Sequence, residues 1–185
     1  MFKQIRYLME EDPSLLKGEV EIDEAYIGQS KLRKGKWGGG VENKQAVMGM
    51  IERKGRVYLK HVSDTSRFTL VSEIKRHVNP TARVITDQHA SYQGLNKLGY
   101  KHDFVNHSET YLVGDIYTQN IEGFWSGLKR GIYGVYRHVS KEYLQNYANE
   151  YAWRFNNRHL GEGMFDSLLN QVAFVKVAKP VSKVR

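Results

Sequence analysis

Three carboxylates and a lysine stand where they could serve one phosphodiester reaction. Asp23 lies inside a polar–apolar alternation over residues 19–27, Asp87 follows the short apolar run 82–86, and Glu122 and Lys129 share the segment 120–130. Phosphodiester cleavage without a covalent intermediate uses two divalent cations about 4 Å apart, one activating the attacking oxygen and one stabilising the leaving oxygen. Mg²⁺ suits such a site because it takes hard oxygen ligands, one or two carboxylates plus water and substrate phosphate. A lysine beside the last acid would bind the phosphate as a point charge. Each residue also has an ordinary explanation. Asp23 shares strand parity with Glu19 and Glu21, as on a solvated face, and Asp87 could cap a turn or helix. Glu122 suits the first turn of a helix, where the dipole favours an acid, and Lys129 and Arg130 suit a solvated helix end.

These residues need a strand, a second strand end and a helix to bring them together. Residues 19–27 read as a strand with one buried face, with Ile22 and Glu24 opposite Asp23. Ile121, Phe124, Trp125 and Leu128 recur at i, i+3, i+4 and i+7, an apolar stripe facing a core. At roughly 100° per residue Glu122 and Lys129 align two turns apart on one flank of that stripe, and Asn120 falls on the other.

The remaining pattern supplies the scaffold. Residues 1–16 read as a short amphipathic helix broken near Asp12-Pro13. Residues 45–51 and 56–62 read as strands joined at Lys54-Gly55, and residues 68–78 as a helix stopped by Asn79-Pro80. After the strand ending at Asp87 come a helix near 91–98, a strand over 101–105, and helices over about 120–132 and 140–157. This order predicts an α/β protein, a mixed sheet flanked by helices with a right-handed crossover through the 68–78 helix. Between the first two strands, residues 31–44 carry Lys31, Arg33, Lys34, Lys36, Lys44 and the run Gly38-Gly39-Gly40, a basic mobile loop able to follow a phosphate backbone. Glu150 and Arg154 have the spacing of a solvated i, i+4 salt bridge, and Tyr147, Tyr151 and Phe155 share a helix face suited to a core. His102 and His107 either orient DNA or water or are polar loop residues.

Composition narrows the partners. The chain has 185 residues, 28 Lys plus Arg against 20 Asp plus Glu, and a formal charge of +8. That excess points to a polyanion, nucleic acid ahead of an anionic membrane. With no cysteine, disulfides and thiolate zinc sites are excluded. No apolar stretch approaches the ~20 residues of a membrane span, and no signal-peptide core is present.

The chain resembles the DDE-type transposases of bacterial insertion sequences, in the group with an Asp-Asp-Glu/Asn-Lys signature. The resemblance rests on Val20-Glu21-Ile22-Asp23-Glu24-Ala25-Tyr26-Ile27-Gly28, Ile85-Thr86-Asp87 with Ser91-Tyr92, Asn106-His107-Ser108, and residues 118–130 with Tyr147, Glu150 and Arg154-Phe155-Asn156-Asn157-Arg158. It implies an RNase H-like mixed five-stranded sheet with a C-terminal helical pair over residues 18–160, preceded by a linker or remnant helix (1–17) and followed by a partly disordered extension (161–185). It further implies Asp23, Asp87 and Glu122 as ligands of two Mg²⁺ ions, replaceable by Mn²⁺, with Asn120 the alternative third ligand, and Lys129 as the signature lysine. Lys31, Arg33, Lys34, Lys36, Lys44, Lys129 and Arg130 would contact double-stranded DNA, at transposon ends and target, in a homo-oligomer within the bacterial cytoplasm at the nucleoid. Relatives usually carry an N-terminal zinc-binding or helix-turn-helix segment. With no cysteine and about 18 residues before the first strand, this chain is expected to be a fragment, a truncated product, or a system recognising DNA ends differently. The competing readings are an RNase H-like nuclease that does not join ends and a non-catalytic DNA-binding remnant.

Overall fold

The structure is a computed structural model and describes residues 2–9, 14–28, 44–105 and 117–174. Five strands, β1 (Glu19–Ile27), β2 (Gln45–Glu52), β3 (Val57–Val62), β4 (Arg83–Asp87) and β5 (Lys101–Val105), form one mixed sheet in the order β3-β2-β1-β4-β5. β1–β2 and β2–β3 pair antiparallel, and β1–β4 and β4–β5 pair parallel. This is the RNase H-like architecture expected from the sequence. The β2–β3 connection turns through Lys54 at φ 62°, where the adjoining Gly55 N–H donates to the Glu52 carbonyl at 3.0 Å.

Alternation in β1 separates two cores. Val20 and Ile22 pack with Met48, Met50 and Val84 beneath α2 (Arg67–His77), the helix that crosses from β3 to β4. Ser66 begins α2, its side chain accepting from the Thr69 N–H, and Leu70, Val71 and Ile74 form its buried stripe. On the other face Ala25, Ile27, Val47 and Leu59 meet Ile121, Phe124, Trp125 and Leu128 of α3 (Gln119–Gly131), with Leu144, Ala148 and Ala152 of α4 (Leu144–Asn156) beside them. The predicted α3 stripe is thus wholly buried.

Two features differ from the sequence reading, one for a local and one for a tertiary reason. The helix expected near 91–98 is two 3₁₀ turns, Ala90–Tyr92 and Leu95–Leu98, because Gly94 between them adopts a left-handed φ of 80°. Within the C-terminal extension expected over 161–185, a helix, α5 (Met164–Phe174), begins after a break at Gly161. Glu150 and Arg154 are not a solvated pair. Glu150 is only 4% exposed and accepts from Arg6 Nε at 2.6 Å and Tyr136 Oη at 3.1 Å as well as Arg154 Nη2 at 2.7 Å. The Arg6 guanidinium also lies 4.0 Å above the Tyr147 ring, so this cluster ties α1 (Phe2–Tyr7) to α4.

Candidate active site

Strand register brings the first two acids together. Ile22 pairs with Thr86 on parallel β4. One step farther, Asp23 and Asp87 are neighbours at the end of that ladder, where adjacent strands lie about 4.8 Å apart. The third acid arrives on α3. Asp23 occupies the sheet face that α3 covers, and Trp125 Nε1 of α3 donates to Asp23 Oδ2 at 3.0 Å. Burial raises the Asp23 pKa, the Glu24 N–H and Trp125 oppose that rise, and the negative charges of Asp87 and Glu122 add to it. The three predicted acids therefore share one electrostatic neighbourhood.

Each is oriented by one further bond. Asp87 Oδ1 accepts from the His89 N–H at 3.0 Å, an Asx turn at the strand end. Thr118 Oγ1 donates to Glu122 Oε1 at 3.1 Å. Glu122 is exposed and Lys129 half-buried, two turns along the same flank of α3. Among the described residues, no three Asp, Glu or His side chains stand close enough as they are to hold one ion. The donor set nevertheless suits a hard divalent cation: three carboxylates whose mutual repulsion a cation would relieve. Of the expected DNA contacts, Lys44, Lys129 and Arg130 are described, whereas Lys31, Arg33, Lys34 and Lys36 lie outside the described residues, as do Asn106, His107 and Ser108.

Asn120 has a different employment. Its side-chain amide donates to Glu21 Oε1 at 2.7 Å, and the N–H groups of Asn120 and Ile121 donate to Glu21 Oε2 at 3.0 and 3.1 Å. Glu21 thus caps α3 from β1 beneath it, satisfying N–H groups that a helix start leaves unpaired. Its fourth partner is Arg53 Nε at 2.9 Å, and Arg53 also reaches the Tyr117 carbonyl at 2.9 Å. Glu21 is 0% exposed, so the face it shares with Asp23 is not a solvated one. The sequence reading missed Glu21 and Arg53; the available signal was a second acid in register with Asp23.

Glu24 was missed too. It points to the α2 face, where it accepts a hydrogen bond from the Tyr92 hydroxyl. Burial raises its pKa to about 7 against the opposing Tyr92 bond, and the charges of Asp23 and Asp87 add smaller upward contributions. Between pH 4.5 and 7 the folded, metal-free protein holds a proton that the unfolded chain has released. Stability should therefore fall as pH rises through that window, by about 3 kcal/mol at roughly 1.4 kcal/mol per pH unit. Glu24→Gln should remove about that much of the loss between about pH 5 and pH 8, measured by urea denaturation in EDTA. An unchanged pH dependence would show that Glu24 is ionised in the fold.

The chain is similar to several known proteins. The ISXO2-like transposase domain family matches residues 15–156. An uncharacterized transposase-like protein of Haemophilus influenzae is 32% identical over 107 residues, covering 58% of this chain and 86% of that protein. A chain from the simian T-cell lymphotropic virus intasome, solved in complex with PP2A regulatory subunit B56 gamma, superposes with a TM-score of 0.51 at 13% identity. The match covers 95% of this chain and 60% of that one, a likeness of fold. The catalytic core domain of BIV integrase gives a TM-score of 0.49 at 12% identity, covering 85% of this chain and 97% of that one.

Proposed function

The chain belongs to the ISXO2-like transposase domain family, and we propose that it is the catalytic domain of a DNA transposase that cuts DNA strands and joins them with divalent metal ions. The observation that carries this reading is the position of Asp23, next to the β4 end that bears Asp87 and bonded to Trp125 of α3, the helix that bears Glu122. These three residues would hold two Mg²⁺ ions, with Mn²⁺ able to substitute. The ions would supply the activation of the attacking oxygen and the stabilisation of the leaving one. The protein's share is placement. β1 and β4 hold two acids at adjacent strand positions, and Trp125 fixes the orientation of Asp23. Glu21 anchors the start of α3, and with it the height of Glu122 above the sheet. Asn120 gives both its side-chain amide N–H and its backbone N–H to Glu21, a structural role that supports Glu122 as the third ligand.

The deciding experiment incubates the protein with labelled duplex ends and a target plasmid in Mg²⁺, Mn²⁺ or EDTA. Joined products that require metal are expected. Metal-dependent cutting without joining would instead favour a nuclease, and metal-independent binding with no cutting a non-catalytic DNA-binding domain.

Lys129 would meet the phosphate at the reacting end. Lys129→Ala is expected to lower turnover at least about tenfold more than it lowers DNA affinity, because positioning at the centre supplies rate rather than bulk binding. Lys129→Arg should restore only part of the rate, since a planar fork does not replace a compact charge. Equal losses of affinity and rate would make Lys129 an ordinary backbone contact. Lys31, Arg33, Lys34, Lys36, Lys44 and Arg130 are proposed as contacts to the backbone of double-stranded DNA, engaged by a homo-oligomer. Neutralising two of the loop cations should flatten the dependence of log affinity on log salt by nearly one per lost contact, equally for all sequences. An unchanged slope would exclude them as contacts.

A further inference from the structure

The metal chemistry makes no use of a cavity on the other side of Asp87. It has a volume of about 240 Å³, and its walls include Asp87, His89, Tyr92, Asn96, His102 and Phe104. The last two lie two residues apart on edge strand β5, on the same face. Phe104 is 54% exposed, an aromatic ring left at the rim of a polar recess.

The hydrogen bonds fix what the recess offers. The Thr86 hydroxyl donates to the Asp87 carbonyl at 2.7 Å, so its oxygen must accept from His102 Nε2 at 3.0 Å. Burial lowers the His102 pKa against the opposing charge of Asp103 and so favours the neutral ring. With the proton on Nε2, the His102 Nδ1 is an acceptor. Asn96 Oδ1 accepts the His102 backbone N–H at 2.9 Å, which assigns its amide group as a donor. Phe104, His102 and Asn96 all line the cavity, so an aromatic ring, an imidazole acceptor and an amide donor are available around a space of a size for a single flat heterocycle. That is the chemistry that recognises an unstacked nucleobase, through its π face and through its edge.

We propose that this cavity receives one unpaired base of the DNA strand whose phosphate lies at Asp87, stacked on Phe104 and read by His102 and Asn96. The proposal rests on the transposase reading for its ligand. Extruding a base costs least where the strand is already unpaired, so the site favours frayed or single-stranded ends over intact duplex. Seating the base would also fix the register of the neighbouring phosphate against the metal ligands.

The test uses Glu122→Gln protein, which retains every cavity residue, with a short duplex bearing an unpaired 3′ dinucleotide that carries 2-aminopurine. Seating should change the 2-aminopurine fluorescence, and adding Phe104→Ala should abolish that change and weaken binding about tenfold. Phe104→Trp should retain it. A probe with an abasic site in place of 2-aminopurine should bind equally well with or without the Phe104→Ala substitution, and so should a blunt duplex. Thermal unfolding of each variant confirms that the exposed substitution leaves the fold intact. No fluorescence change with Phe104 in place, or an equal loss of affinity for the abasic probe on Phe104→Ala, would overturn the proposal. Because binding is read without turnover, residual cutting by Glu122→Gln would count against the catalytic reading alone.

Discussion

Glu122→Gln is expected to lower metal-dependent cleavage by about 10³-fold while leaving DNA affinity within a few-fold, and Asn120→Ala is expected to change cleavage far less. The amide keeps the size and most of the hydrogen-bonding capacity of Glu122 but removes the charge that holds a divalent ion. Losing that interaction forfeits several kcal/mol of transition-state stabilisation. Its bond from Thr118 Oγ1 survives the change, because an amide oxygen still accepts. Asn120→Ala deletes one donor to Glu21. Arg53 and the backbone N–H groups of Asn120 and Ile121 remain, so the cost should be about 1 kcal/mol of stability. Turnover and urea denaturation, measured on the same preparations, separate the two roles. If Asn120→Ala abolishes cleavage with the fold intact and Glu122→Gln does not, the third ligand is Asn120.

What was legible in the sequence follows from the range of the interactions involved. The strand around Asp23, the β2–β3 hairpin, α2 and the buried stripe of α3 announce themselves through local periodicity. The angular offset between Glu122 and Asn120 is likewise a property of one helix. Glu21 could not be read that way, because its partners on α3 are about a hundred residues distant, and alternation alone assigned its face to solvent. Glu24 and Tyr92 are joined across 68 residues, and Arg6 and Glu150 across 144. Burial of those acids is a consequence of tertiary packing, and nothing in their immediate neighbours signals it. The 3₁₀ turns around Gly94 failed for a more local reason: apolar spacing over 91–98 fits a helix, but the left-handed backbone at one glycine interrupts it.

Gly49→Ala is expected to damage both stability and catalysis, against the direction that strand propensity alone gives. Glycine weakens a strand interior, so alanine should help if nothing else intervened. Gly49, however, pairs with Asp23 across the β1–β2 ladder and lies under α3. A Cβ there would stand 2.5 Å from Cζ2 and 2.7 Å from Cη2 of Trp125, and 2.8 Å from Cδ1 of Ile121. The indole has little freedom to retreat, being bonded to Asp23 through Nε1 and packed edge-on against Phe124 at a ring separation of 5.8 Å. Relief must come from α3 moving off the sheet, which carries Glu122 away from Asp23 and Asp87. Overpacking of this kind costs about 1–3 kcal/mol, and a displacement of about 1 Å at a reacting centre can cost roughly 10²-fold in rate. Trp125→Phe removes the two ring atoms nearest the new methyl. In that background Gly49→Ala should cost much less, a coupling of about 1–3 kcal/mol in a double-mutant cycle followed by urea denaturation. The single variant should also require more Mg²⁺ for half-maximal cleavage, which a simple loss of folded protein would not produce. A neutral or stabilising Gly49→Ala would mean that α3 does not seat on Gly49, and the common anchoring of Asp23 and Glu122 through Trp125 would fall with it.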